Sequence, residues 1–359
     1  MNGIKMRITF VLPNWSTKPI GGYKVVYEYA NRLSENGNKV GVVHPLLLFP
    51  AEVDVKKRIK FYLRCIKYFV LKIRKLKWFS ISPDVSLTIV PNLESKHIPP
   101  GDVIVATAWQ TAEWVNGYGQ DKGRKYYFMQ HYEIWSGEEE RVKATFRFPL
   151  RKIVVSKWLK EIIEEIGENR ATHIPNGLNF DHFKIINPPE DRDPKRVGML
   201  YSRIDWKGSR DGITALNMVK QRIPDLHAVF FGISGKGKDV PQWVEYHQDP
   251  KPTELLDIYN SCSIYLCSSW YEGWFLPGAE AMACGCALAT TDCLGIRDYA
   301  IHQKTALMSQ PRNPEKLAQN IVSLIRDDLL RLNLARNGHE FIRRFTWEKA
   351  VNLFQKVIS

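Results

Sequence analysis

The stretch Tyr271 to Gly285, YEGWFLPGAEAMACG, carries two carboxylates, Glu272 and Glu280, with seven residues between them. The run before it, Ser263 to Cys267 (SIYLC), has the character of a buried strand, and Pro277 stands where a first helical residue is favoured. Gly285 stops the helix that follows. This arrangement puts Glu272 on a loop at the carboxyl end of a strand and Glu280 in the first turns of a helix. Gly273 to Gly278 can then turn backbone N–H groups outward, and such a helix start attracts phosphate. One carboxylate can hydrogen-bond sugar hydroxyls and the other a ribose, with a diphosphate held on the amides between them. The spacing also fits an ordinary strand-loop-helix unit with two exposed glutamates, and by itself it leaves both readings open.

Strand-like and helix-like segments alternate twice along the chain. Arg7 to Leu12 reads as a first strand, Gly21-Gly22 as a turn and Tyr23 to Asn36 as a helix. Further short apolar runs follow at Lys39 to His44, Ser86 to Val90, Val103 to Ala106, Tyr126 to Met129 and Ile153 to Val155. Their pattern is that of a parallel sheet covered by helices. A polar, proline-bearing stretch, Asn187 to Lys195 (NPPEDRDPK), reads as a hinge. A second series runs through Val197 to Leu200, Ala228 to Phe231, Ser263 to Cys267 and Ala287 to Ala289, with helices near Pro314 to Asp327 and Trp347 to Ile358. The expected organisation is a first domain over 1–186, a second over 187–342 and a C-terminal helix within 343–359 that returns to the first. Two doubly wound domains place ligands at their strand ends, in the cleft between them.

Composition sets limits on function. The 359 residues, 44% hydrophobic and 25% charged, are enough for two cores of common size. No apolar window is long enough for a spanning helix and Met1 to Phe10 has no signal-peptide core, so the expected location is cytoplasmic. The six cysteines show no metal-ligand spacing and read as reduced core residues. The net charge of +13 is concentrated in 56–79, where Lys56, Lys57, Arg58, Lys60 and Arg64 begin a run without acidic residues. On a helix, Ile59, Tyr62, Leu63, Ile66, Phe69 and Val70 fall on one face, a pattern that suits an anionic membrane surface. It equally suits a domain helix with solvated lysines. No recognition motif accompanies the charge, so nucleic acid is not the expected partner.

Two other phosphate motifs fail. Gly232 to Asp239 (GISGKGKD) has the glycines and lysine of a P-loop, but Asp239 replaces the hydroxyl residue that would hold magnesium and Pro241 interrupts the helix. A dinucleotide fingerprint after the first strand is absent, since Gly21-Gly22 is only a pair.

With these residues assembled, the chain resembles the retaining glycosyltransferases of family 4 (glycosyl transferases group 1). EGWFLPGAEAMACG is similar to the family's E-x7-E signature, IPNGLNFDHF (174–183) to the segment before its domain linker, and YSRIDWKG (201–208) to its paired Arg and Lys. The resemblance implies an α/β, GT-B fold of two Rossmann-like domains and a nucleoside diphosphate sugar donor. It also implies roles. Arg203 and Lys207 would clamp the diphosphate, with the amides of Gly273, Phe275 and Leu276. Glu272 would orient donor-sugar hydroxyls, and Glu280 would hold the ribose. Gly21 and Gly22 would allow close backbone approach to the phosphates or sugar, or only make the turn, and His131 would contact the donor sugar or be a structural histidine. Asp249 and Pro250 would flank the base, and Trp109 and Gln110 would face the acceptor, although Trp109 could equally be core.

The implied reaction moves the sugar to a hydroxyl of a glycan or lipid-linked acceptor with retention. Leaving-group charge would be met by Arg203, Lys207 and backbone amides, so no metal is required. No nucleophile is visible on the far face of the sugar, which favours front-face attack over a covalent intermediate. Trp274-Phe275 departs from the smaller residues often found in relatives, and so leaves donor identity open. The basic segment suggests a peripheral location on the inner face of the cell membrane. A sugar-nucleotide epimerase and a noncatalytic binding subunit remain alternatives.

Overall fold

The computed structural model describes residues 5–49, 56, 59, 63, 76, 78–167 and 170–359. The chain divides into two compact units: Met1–Val155 with Leu159–Ile174 and Val351–Ser359, and Ser156–Trp158 with Pro175–Ala350. The basic segment 56–79 lies outside the described residues, apart from Lys56, Ile59, Leu63, Leu76, Trp78 and Phe79. Among the described residues no helix is long and apolar enough to cross a membrane.

The first unit holds a seven-stranded sheet in the order β3-β2-β1-β4-β5-β6-β7. Its strands are β1 (Arg7–Val11), β2 (Lys39–Pro45), β3 (Ser86–Val90), β4 (Val103–Ala106), β5 (Arg124–Met129), β6 (Arg151–Val154) and β7 (Ala171–His173). Every neighbouring pair is parallel. The central strand VIVA of β4 is buried along its whole length, as expected where helices cover both faces. The helix Gly21–Glu35 turns Tyr23, Val26, Tyr27, Ala30 and Leu33 inward at helical spacing. The end of the helix Trp347–Ile358 completes this core: Phe354 is fully buried against Tyr29, with ring centroids 4.8 Å apart, and Tyr126 donates to the Val357 carbonyl at 3.0 Å.

The second unit holds a six-stranded parallel sheet in the order β10-β9-β8-β11-β12-β13. These are β8 (Arg196–Leu200), β9 (His227–Gly232), β10 (Glu245–Gln248), β11 (Ile264–Cys267), β12 (Ala287–Thr291) and β13 (Ala306–Ser309). Strands β11 and β12 are buried throughout. The helix Pro314–Arg326 starts where chemistry dictates: Asn313 accepts from the Lys316 N–H at 2.9 Å and Pro314 opens the first turn. In each sheet the strand order reverses once, between β1 and β4 and between β8 and β11. Those switch points are where doubly wound sheets take ligands.

The division between units falls after Ile174 rather than at the 187–195 stretch read as a hinge. That stretch is anchored inside the second unit. Arg192, 6% exposed, donates to the carbonyls of Cys262 at 3.0 Å and Cys284 at 2.7 Å. Upstream, the Leu178 N–H donates to the Phe345 carbonyl at 2.9 Å, which binds 175–186 to the same unit. Strands β7, β10 and β13 were not among the apolar runs either. Sequences such as ATH and EYHQ are too short and polar to stand out, and β7 and β10 lie at sheet edges.

Candidate functional site

Two loops leave the carboxyl ends of β8 and β11, the neighbours at the switch point of the second sheet. After β8, Asp205–Lys207 makes one turn of 3-10 helix that ends at Gly208, whose φ of +61° is left-handed. A Cβ on Gly208 would lie 1.9 Å from the Ser268 carbonyl oxygen. Only glycine lets the two loops approach so closely. That approach delivers Lys207 to Glu272.

The Lys207 Nζ donates to both Glu272 oxygens at 2.8 Å, and Ser269 Oγ donates to Oε1 at 2.8 Å. Glu272 is 4% exposed. Its backbone N–H is bonded to the Cys293 carbonyl at 2.9 Å, so the loop is fixed from both ends. A carboxylate so far from water requires such partners.

Downstream, the helix Leu276–Ala283 begins at Phe275, a non-glycine residue at φ +61°. Aromatic residues are rarely held in that region, and such strain concentrates at functional positions. Tyr299 holds it there, donating to the Phe275 carbonyl at 2.6 Å, and the Trp158 indole donates to the Gly273 carbonyl at 3.3 Å. With the carbonyls of Gly273 and Phe275 turned toward these partners, the first-turn amides of the helix supply positive charge at its start. Glu280 lies on this helix, 4% exposed, and accepts from the Tyr259 hydroxyl at 3.1 Å. Burial first, and then the Glu280 charge, push the Cys284 thiol up to about 12. The same two causes raise the Tyr259 hydroxyl well above its ordinary value.

Arg203 is exposed and donates to the Gly235 carbonyl at 3.3 Å, toward the glycine loop after β9. It lines a cavity of about 540 Å³ with Asp205, Arg210, Lys238, Asp239 and Trp270; Lys207 and Glu272 are outside that lining. The P-loop-like residues have structural partners, Lys236 donating to the Val244 carbonyl at 2.9 Å and Asp239 accepting from the Tyr201 hydroxyl at 2.7 Å. Asp249 and Pro250 follow β10, with Asp249 at φ +48° and its N–H on the Gly232 carbonyl at 2.7 Å.

In the first unit, Gly21 and Gly22 are the first two residues of the helix after β1, where the sequence reads a turn before a helix from Tyr23. A Cβ on Gly21 would meet nothing within 4 Å, and the Gly22 carbonyl accepts from the Gln130 side chain at 3.0 Å. His131 follows Gln130 at the end of β5, its ring 4.3 Å from that of Trp135. Of the two readings of Trp109, acceptor-facing or core, its side chain takes the second, packed inside the unit at 4% exposed, and its backbone N–H donates to Glu133 at 2.9 Å. Gln110 beside it is half-buried.

Reading the sequence missed Ser269, Tyr259, Tyr299, Trp158 and Glu133. Ser269 precedes Glu272 by three residues and had a local signal. The others reach their partners from distant segments and had none.

Residues 182–341 match the model of the family described as glycosyl transferases group 1. Among curated relatives, an uncharacterized glycosyltransferase of Methanocaldococcus jannaschii is 28% identical over 213 residues, 57% of this chain and 58% of its own. The N,N'-diacetylbacillosaminyl-diphospho-undecaprenol alpha-1,3-N-acetylgalactosaminyltransferase of Campylobacter jejuni is 24% identical over 242 residues, 60% of this chain and 63% of its own. The chain thus spans about three fifths of the length of these relatives. Among solved structures, sucrose-phosphate synthase from Thermosynechococcus elongatus superposes with a TM-score of 0.73 at 17% identity, over 98% of both chains. HepE from Anabaena, in complex with UDP-glucose, gives 0.74 at 14% identity over 98% of this chain and 99% of its own. The fold is therefore the GT-B fold.

Proposed function

The chain belongs, through residues 182–341, to the glycosyl transferases group 1 family, and on that premise we propose that it transfers a sugar from a nucleoside diphosphate sugar to a hydroxyl of a glycan or lipid-linked acceptor, with retention of anomeric configuration. The observation that carries this reading is the Lys207–Glu272 pair beside the start of the helix that bears Glu280. It combines one cation, a row of backbone amides and two desolvated carboxylates, the groups needed for a diphosphate flanked by two polyols.

In this mechanism Glu272 accepts hydrogen bonds from donor-sugar hydroxyls and Glu280 from the ribose. Lys207, Arg203 and the amides from Gly273 to Leu276 stabilise the charge that develops on the leaving phosphate. The acceptor hydroxyl attacks from the face the phosphate leaves, and a phosphate oxygen takes its proton. The work lies in the cell-surface glycan or glycolipid class, at the cytoplasmic face of a membrane, with 56–79 as the peripheral contact. The Campylobacter relative, named for an undecaprenyl-linked acceptor, supports this class of acceptor, and the HepE complex supports UDP-glucose as a first donor to try.

The test is incubation with UDP-, GDP-, ADP- and dTDP-sugars, with and without lipid-linked acceptors. Diphosphate nucleotide released only with acceptor, and a product of retained configuration, is the expected result. Sugar interconversion without acceptor would make the protein an epimerase, and donor binding without turnover would make it a binding subunit.

A further inference from the structure

The carboxyl group of Glu133 is a feature of the first unit that the proposed reaction does not use. Glu133 follows β5, and its Oε2 accepts from the N–H of Trp109, the first residue of the helix after β4. Tyr23, from the helix after β1, and Tyr127 of β5 are close enough for the Glu133 charge to raise both hydroxyls, after the larger effect of burial. The segments that follow β1, β4 and β5 therefore converge on one carboxyl group, at the switch point of the first sheet.

Position and charge decide what this point can hold. The start of the helix Trp109–Asn116 is the end that would attract an anion, and a carboxylate of the protein already occupies it. A phosphate brought here would meet like charge. A neutral hydroxyl would meet Oε1, which makes no hydrogen bond among the described residues. Trp135, 37% exposed and edge-on to the His131 ring, supplies an apolar surface on the same loop.

We infer that Glu133 is a hydroxyl-binding residue of the first unit and holds a neutral sugar of the acceptor. This rests on the proposed transferase reading for the name acceptor, though the hydroxyl site itself does not. Burial pushes the Glu133 carboxyl up to about 7, the Trp109 N–H working in the opposite direction. Near neutral pH the group exists in both forms, able to accept a hydrogen bond from a hydroxyl or donate one to it.

The experiment compares the wild type with Glu133→Gln, which keeps an oxygen for the Trp109 N–H, and Glu133→Ala. Thermal melting first confirms that the variants fold. Ligand-observed NMR then follows methyl glycosides of glucose, galactose and N-acetylglucosamine, with UDP titrated separately. At least one glycoside is expected to bind the wild type, about tenfold more weakly to Glu133→Gln and undetectably to Glu133→Ala, while UDP binds all three alike. Equal glycoside binding by all three proteins, no glycoside binding by the wild type, or UDP affinity falling in parallel would each overturn the inference. If the glycoside pattern holds but no donor is turned over, Glu133 stands and the transferase reading falls. With an active donor–acceptor pair, Glu133→Gln should raise the acceptor KM about tenfold and leave the donor KM unchanged.

Discussion

Lys207 and Glu272 meet across the switch point of the second sheet, with the ammonium nitrogen 2.8 Å from both carboxylate oxygens. The glutamate side chain is 5% exposed and the lysine 25%. In the absence of a ligand, each supplies the charge the other needs. A donor whose phosphate draws on Lys207 and whose sugar hydroxyls donate to Glu272 can replace part of that pairing.

Lys207→Met should therefore lower stability as well as turnover, because among the described residues it leaves the Glu272 charge buried with only Ser269 as side-chain partner. A loss of about 2–3 kcal/mol is expected, below the ~3–5 kcal/mol of a fully buried pair since part of the lysine is in solvent. Urea unfolding measures it. An unchanged midpoint would mean that the pair contributes nothing to the fold.

Glu280→Ala should act on the donor. Loss of a ribose contact predicts a donor KM raised about tenfold, or about 1.4 kcal/mol, with a smaller change in kcat. Arg203→Ala should instead lower mainly kcat. Steady-state kinetics with donor varied separates the two, and an unchanged donor KM in Glu280→Ala would remove Glu280 from the ribose.

Gly208→Ala tests the approach of the two loops. A Cβ 1.9 Å from the Ser268 carbonyl cannot be accommodated in place, and alanine is also disfavoured at φ +61°. The loop must move, carrying Lys207 with it. Stability should fall by more than about 1 kcal/mol and turnover by at least tenfold, since small displacements of a positioned group are costly in rate. Melting and kinetics on the same preparation check both.

His44 makes a pH prediction. Its ring is fully buried, with Nδ1 2.8 Å from the Asn14 carbonyl and Nε2 3.1 Å from the Tyr27 hydroxyl. Nδ1 must therefore carry the proton and Nε2 must accept. Burial holds the imidazole down at about 4, against 6.5 for an ordinary histidine, with the Asn14 bond opposing. The folded pKa is depressed, so below pH 6.5 the unfolded chain takes up a proton that the folded chain refuses. Stability should fall between pH 6.5 and 4, by about 2–3 kcal/mol on reaching pH 4.5. In His44→Gln that part of the slope should vanish, as unfolding at pH 7 and 4.5 would reveal.

Charge on the leaving phosphate is assigned to Lys207, Arg203 and backbone amides. Transfer should then proceed after exhaustive treatment with EDTA at an undiminished rate. A loss of activity restored by magnesium or manganese would transfer that role to a metal.

Much of the second unit was legible as local pattern. SIYLC and ALATT announce buried parallel strands because both faces are covered and alternation disappears. Pro277 and the seven-residue spacing locate Glu272 on a loop and Glu280 on a helix, since a helix start depends on neighbours a few residues away. The Trp109 side chain was less legible. Its place after a strand was clear, but which way the indole points depends on packing against distant residues, including Gly137.

By itself the sequence determined the alternation of strands and helices, the two-domain α/β character and the placing of Glu272 on a loop and Glu280 on a helix. These are properties of short windows, governed by burial periodicity, turn chemistry and spacing. Tertiary structure alone decided the partners: Lys207 on Glu272 across 65 positions, Tyr259 on Glu280 across 21, and Glu133 on the helix after β4. Strand order made those pairs, and runs as alike as VIVA and IYLC carry no record of their neighbours. Close approach through Gly208 and the left-handed Phe275 belong to the same category, because the atoms that require them come from other loops.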